Sequence, residues 1–133
     1  MAERDVEIVR RIFDALNSED VDLVLSLTHP EFELAVPPAL SAEPATYRGQ
    51  EGMRRYLDSF GEIMEEIRIR GERFVDTASG VLVATSITAR GRQTAIPVEQ
   101  RSAGLWTVCD GQIRRVRVYT SMEEAIEALA GAQ

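Results

Sequence analysis

The chain has 133 residues, 44% of them hydrophobic and 28% charged, a soluble globular composition at single-domain length, with roughly 68–70% of the unfolded surface available for burial. Its formal net charge of −7 sets it against nucleic acid and anionic membranes, which are polyanions, and the short basic run Arg114, Arg115, Arg117 is too small to reverse that repulsion. Cys109 is the only cysteine, so no internal disulfide forms, and no run of ~18 apolar residues offers a membrane span.

The first residues, Met-Ala-Glu-Arg-Asp, enter a charged helix directly, unlike a signal peptide, so a cytoplasmic protein is expected. Helix one is predicted from Arg4 to Leu16, because Val9, Ile12, Phe13 and Leu16 fall on one stripe at i, i+3, i+4, i+7 spacing. Asn17-Ser18 breaks it. Ser18 is the expected cap of helix two, with Glu19 and Asp20 complementing its positive end. Val21, Val24, Leu25 and Thr28 repeat the stripe, and His29-Pro30 should stop it, since the residue before proline disfavours the α region. Phe32 to Val36 reads as a short strand ended by Pro37-Pro38. Ala39 to Gly49 reads as a loop long enough to be a lid or rim.

Helix three is expected over Gln50 to Glu65, with Met53, Tyr56, Leu57 and Phe60 as its apolar stripe. Ile67 to Val75 alternates with charged residues as a half-buried strand should. Val81 to Arg90, Val98 to Val108 and Ile113 to Thr120 follow as long strands, with a loop from Gly91 to Pro97. The last two strands are joined by Asp110-Gly111, a strong hairpin signal because both turn residues must take positive φ. Ser121-Met122-Glu123-Glu124 reads as a capping box opening a last helix with Met122, Ala125, Ile126 and Leu129 on one face, to dock on the sheet or on helix one. Helices followed by a long antiparallel sheet make an α+β domain in which helices cover one face of a curved sheet.

The order helix, helix, strand, helix and four-strand meander resembles the nuclear transport factor 2 superfamily, which includes ketosteroid isomerase and the SnoaL-like polyketide cyclases. The resemblance spans residues 1–133 as a single domain. It is carried by Ala15-Leu16-Asn17-Ser18-Glu19-Asp20, Tyr47-Arg48-Gly49-Gln50-Glu51-Gly52, and Asp110-Gly111-Gln112-Ile113 ahead of Tyr119. It implies a cone-shaped antiparallel sheet wrapped around the N-terminal helices, a pocket between them, and a homodimer packed through the outer sheet face. The fold hosts isomerases, cyclases, hydrolases, dehydratases and binding proteins, so it does not fix function.

Ketosteroid isomerase chemistry needs a carboxylate base and two oxyanion donors, a tyrosine and a protonated aspartate. The corresponding positions are Val36, Ile12, and Gln100 or Gly104. None supplies the required group, and only Gln100 offers an amide donor. The same correspondence turns Val83, Thr85 and Ile87, then Gln100, Ser102, Gly104 and Trp106, then Val116, Val118 and Thr120 toward the pocket. Phe32, Leu34 and Val36 join them, with Met53, Tyr56 and Phe60 from helix three. The expected ligand-binding residues are therefore Trp106, Gln100, Ser102, Tyr56, Met53, Phe60, Val36, Thr85, Val118 and Thr120. They describe a mostly apolar site for a small hydrophobic or aromatic molecule.

Glu99, Arg101, Arg115, Arg117 and Tyr119 fall on the opposite phase, which faces a second subunit. Glu99 and Arg101, with Tyr119 as a further candidate, are the alternative: a water-activating pair for a cyclase, epoxide hydrolase or dehydratase, if the strand register is slipped by one. A third reading is a dimerisation module without ligand. His29 reads as a surface helix cap. With no Cys, Asp or Glu at ligand spacing it gives no metal site. Cys109 reads as a small hydrophobe. No phosphate loop, nucleophile elbow or dinucleotide fingerprint calls for a cofactor.

Overall fold

The computed structural model describes residues 2–37 and 46–131. The elements run α1 (Ala2–Asn17), α2 (Val21–Ser26), β1 (Thr28–Ala35), β2 (Thr46–Arg48), α3 (Gly49–Ile63), β3 (Met64–Thr77), β4 (Gly80–Gly91), β5 (Pro97–Cys109), β6 (Gln112–Tyr119) and α4 (Met122–Gly131). The six strands form one sheet in the order β2-β1-β6-β5-β4-β3, curved and unclosed. The meander β3 to β6 is antiparallel throughout, whereas β1 joins β6 in parallel. This is the α+β architecture expected from the order of the elements. No helix among the described residues is long and apolar enough to cross a membrane.

The apolar stripes explain the packing. Val9, Ile12 and Phe13 of α1 and Met53 of α3 are buried against Phe32, Leu34, Val81, Val83, Trp106, Ile113 and Val116 of the concave sheet face. Strand β4 shows no simple alternation because it is covered on both sides. Val81 and Val83 belong to that core, while Leu82 packs with Ala103 and Ala125 in a second cluster beneath α4. The last helix thus docks on the outer sheet face. Its stripe is Met122, Ala125 and Leu129. Ile126, expected on that face, instead stands 52% exposed.

Several boundaries differ from expectation for local reasons. Ser18 does not cap α2. Its hydroxyl donates to the Asp14 carbonyl at 2.9 Å, Glu19 takes φ 57° to end α1 in the left-handed region, and Asp20 is the cap, accepting from Leu23 N at 3.1 Å. His29-Pro30 does not stop the helix. It lies inside β1, in the irregular stretch between Thr28 and Glu33 where the ladder to β6 shifts register, a place that tolerates a proline lacking its N–H. Within the predicted Ala39–Gly49 loop, Thr46–Arg48 pairs with β1 as an edge strand. Residues 38–45 of that expectation lie outside the described residues.

Two turns behave as read. Asp110 and Gly111 take φ 54° and 76°, the positive values a two-residue hairpin turn requires. Ser121 Oγ accepts from Glu124 N at 3.1 Å. The Glu124 carboxylate reaches back to Thr120, accepting from its hydroxyl at 2.6 Å.

Helix α1 is tied to the sheet at its end. The Asn17 amide donates to the Ile69 carbonyl at 2.8 Å and its oxygen accepts from Ile69 N at 2.7 Å. The α3 C-terminus is held by Arg92, whose Nε donates to the Gly61 carbonyl at 2.6 Å.

Candidate functional site

A cavity of about 140 Å³ lies between α3 and the concave sheet face. The register builds its floor. Thr85 pairs with Ser102 and Ile87 with Gln100 across β4 and β5. Gly104 pairs with Val118 and Trp106 with Val116 across β5 and β6. Directly opposed residues share a face, so all eight side-chain positions line the cavity. Phe32, Leu34 and Val36 close one end, and Met53, Tyr56, Leu57 and Phe60 form the roof.

Every residue expected to bind ligand is therefore in the wall except Thr120. Strand β6 ends at Tyr119, and the Thr120 hydroxyl is spent on Glu124 at the start of α4. Leu16 and Ile69 also reach the wall. Leu16 was visible as the last stripe residue of helix one, whereas Ile69 is delivered by the Asn17 bridge, which local pattern does not reveal.

No charged side chain of the described residues lines the cavity. Its polar groups are neutral. Burial, and secondarily the neighbouring Tyr47 phenol, raise the Tyr56 pKa above its ordinary 10.0. The phenol is thus a proton-bearing group at neutral pH. The Tyr47 and Tyr56 rings meet edge-on at 5.1 Å, and Tyr56 and Phe60 lie 6.4 Å apart. The Thr85 hydroxyl donates to the Val83 carbonyl at 3.2 Å. Trp106 is 8% exposed and meets Phe13 edge-on at 5.1 Å, yet its Nε1 has no hydrogen-bond partner among the described residues.

The pair expected as the alternative catalytic machinery faces away from this space. Arg101 and Glu99 have 70% and 59% exposed side chains, with Arg101 3.9 Å from Glu99 and 4.0 Å from Glu72. Exposed pairs of this length contribute about 0–1 kcal/mol. Tyr119 packs at the α4 cluster. A second, more open depression beside β1 is lined by Glu31, Glu33, Arg48 and Arg114. Its cations are engaged, Arg48 with the Glu33 carboxylate at 3.5 Å and Arg114 donating to the Glu31 carbonyl at 2.6 Å.

His29 is not a helix cap. Its Nδ1 accepts from Glu31 N at 2.9 Å. The parallel pairing of β1 with β6 also brings it to the hairpin turn, where His29, Cys109 and Asp110 have donor atoms within 4.8 Å of one another. Sequence spacing could not show this, because the partners are about 80 positions apart. Cys109 is exposed rather than a buried hydrophobe, and its thiol donates to the Asp110 carboxylate at 3.7 Å. Three surface donors are one short of a closed tetrahedral zinc site.

Comparison with known proteins bears on the family and the fold. The model of the SnoaL-like domain family matches residues 9–116. No curated protein matches the chain significantly. Among solved structures, TerC co-crystallised with polyporic acid superposes with a TM-score of 0.78 at 17% identity, over 93% of this chain and 96% of that one. An NTF2-like protein of unknown function from Burkholderia pseudomallei K96243 gives 0.77 at 14% identity, over 93% and 95%. SalBIII, an epoxide hydrolase/cyclase-like enzyme with a role in pyran ring formation in the polyether salinomycin, gives 0.76 at 20% identity, over 92% and 96%. At these identities the likeness is one of fold.

Proposed function

The chain belongs to the SnoaL-like family, and from that premise we propose that it binds a small, flat, largely apolar organic molecule between α3 and the concave sheet face. The observation that carries this reading is the cavity wall: apolar and aromatic side chains, a few neutral polar groups, and no charge among the described residues. Such a wall favours an uncharged ligand, since an ion would lose its hydration without a partner. The volume of about 140 Å³ suits one aromatic ring, as a dry apolar cavity of roughly 150 Å³ holds benzene. A fold relative co-crystallised with polyporic acid is in keeping with a ligand site in this architecture.

Proton transfer of the ketosteroid isomerase type has no support in these residues. Val36 stands where the base belongs and Ile12, wholly buried, where the tyrosine belongs. A hydrolase or cyclase working through Glu99 and Arg101 lacks support for a different reason: those groups lie on the solvent side of β5. Any catalysis here would proceed by positioning and by neutral donors such as Gln100, Ser102 and Tyr56. The same outer face, where α4 leaves Glu99 and Arg101 uncovered, is the surface we assign to a second subunit.

Trp106 is the single tryptophan and lines the cavity, so its fluorescence reports occupancy. Titration with one- and two-ring aromatic compounds should give a saturable change in emission together with a rise in Tm. Val118→Phe, which fills the space, should abolish the response, and Arg101→Ala should leave it intact. A panel that leaves both Tm and emission unchanged, or a response that survives Val118→Phe, would remove the proposal.

A further inference from the structure

His29, Cys109 and Asp110 come from two distant stretches of the chain and offer three different donor atoms at one place. Their imidazole nitrogen, thiol sulfur and carboxylate oxygen lie within 4.8 Å of one another. None of the three lines the cavity. Surface carboxylates often gather without binding anything, but this set is mixed. Imidazole and thiolate together suit zinc-class cations, whereas carboxylates and carbonyls suit magnesium and calcium.

The fold holds the two stretches together independently of these side chains. Ile113 N donates to the Leu27 carbonyl at 2.7 Å, Thr28 pairs with Ile113, and the Gln112 amide donates to the Ser26 carbonyl at 3.0 Å. These bonds fix the start of β1 against the β5–β6 hairpin. His29 follows Thr28 directly. Cys109 pairs with Gln112 across the turn, and Asp110 takes φ 54° within it. With zinc–nitrogen bonds of about 2.0–2.1 Å and zinc–sulfur bonds of about 2.3 Å, two ligands of one tetrahedral ion stand roughly 3.5 Å apart. Cys109 and Asp110 are exposed and His29 is half-buried, so side-chain rotation alone draws the donors in, and a cation reaches them from solvent.

The hydrogen bonds at the cluster show what an ion would replace. The Cys109 thiol donates to Asp110 Oδ2 at 3.7 Å. A dication takes the place of that proton between sulfur and oxygen and binds the thiolate. His29 Nδ1 accepts from Glu31 N at 2.9 Å, so the neutral ring carries its proton on Nε2. A neutral imidazole ligated through either nitrogen has no lone pair left for Glu31 N, so loading the ion releases that bond. One neutral hydrogen bond at the surface is a small loss beside zinc–thiolate and zinc–imidazole ligation.

We propose that His29, Cys109 and Asp110 form a zinc site with three protein ligands and a fourth position open to water. Binding releases the thiol proton to solvent and leaves the ion held by one imidazole, one thiolate and one carboxylate. The ion clamps the start of β1 to the last hairpin, at the junction of β1 with β6. The site is separate from the proposed ligand cavity and does not depend on it.

Zn²⁺ alone is the first probe, added to the reduced full chain in competition with a chromogenic chelator. One equivalent should bind, and Tm should rise with Zn²⁺ by mass action. Cys109→Ser, His29→Ala and Asp110→Asn should each weaken binding by at least ~10-fold, since even the indirect support of a metal ligand is worth about 10–100-fold. Asparagine tolerates the positive φ at 110, so Asp110→Asn keeps the turn. Glu127→Gln, which removes an exposed carboxylate on α4, should change nothing. Cd²⁺, the second probe, should give thiolate-to-metal charge-transfer absorption with the wild-type protein and none with Cys109→Ser. In the ¹⁵N-labelled wild-type protein, Zn²⁺ should shift the Glu31 amide as its bond to Nδ1 is released. Absence of stoichiometric binding, an affinity unchanged in any of the three ligand variants, an equal loss with Glu127→Gln, or an unmoved Glu31 amide in the loaded protein would overturn the proposal. The NMR measurement uses the unmodified chain, so the outcome does not depend on a variant folding.

Discussion

Replacing Asn17 by alanine should destabilise the protein by about 2–3 kcal/mol. The Asn17 side chain satisfies both backbone groups of Ile69 at once, with bonds of 2.8 and 2.7 Å across 52 positions of sequence. Each such bond contributes about 1 kcal/mol net, and a group stranded away from water costs about 1–3 kcal/mol. Residues 17 and 69 are half-buried, so water recovers part of the loss and the total falls short of the fully buried limit. At this chain length 1 kcal/mol corresponds to about 3–5 °C in Tm, so the midpoint should drop by about 6–15 °C. Urea unfolding followed by circular dichroism measures the change. Asn17→Asp keeps the acceptor for Ile69 N but sets an oxygen against the Ile69 carbonyl, and it should be no more stable than the alanine variant. Ser18→Ala, next in the chain and exposed, serves as the reference. If Asn17→Ala costs no more than Ser18→Ala, the bridge does not tie helix to sheet and the reasoning fails.

Gly71→Ala should cost about 1–3 kcal/mol by overpacking, because its Cβ would fall 2.4 Å from the Phe74 ring. Denaturant midpoints should show the loss relieved when Phe74→Leu is added. Tyr56 should hold its proton above the ordinary 10.0, owing first to burial and then to Tyr47. The unfolded chain then releases that proton first, so stability is complete below pH ~10 and declines as pH rises toward the folded value. Tyr56→Phe should flatten that alkaline decline in a pH series of unfolding curves. Ser121→Ala removes the acceptor for Glu124 N and should cost about 1 kcal/mol, with faster amide exchange confined to α4.

The parts of this molecule that could be read from its residues are those written in short-range pattern. The meander and the Asp110-Gly111 turn follow from alternation and from turn chemistry, whereas the cavity-facing phase of β4, β5 and β6 comes from the family resemblance; once the phase is right Gln100, Ser102 and Trp106 fall into one wall. What escaped depends on who lies next to whom. Strand β2 exists because β1 offers its edge to Thr46–Arg48, a run of three too short to announce a strand on its own. His29 meets Cys109 and Asp110 only through a parallel pairing. Thr120 was placed one step too far along β6, where the claim of Glu124 on its hydroxyl outweighs the period of the strand. Asp20 in place of Ser18 as the α2 cap turns on Glu19 adopting a left-handed backbone, a choice that the neighbouring residues do not announce.

The late partner of β1 has a consequence for how this chain comes into being. The Leu27 carbonyl accepts from Ile113 N at 2.7 Å, and Gln112 donates to the Ser26 carbonyl across 86 positions. Until the last hairpin is available, the first three helices have half a sheet to rest on and their greasy sides stay open to water. Native contacts of such long range slow folding, so during synthesis the nascent N-terminal half waits, adhesive and incomplete, for β6 to emerge.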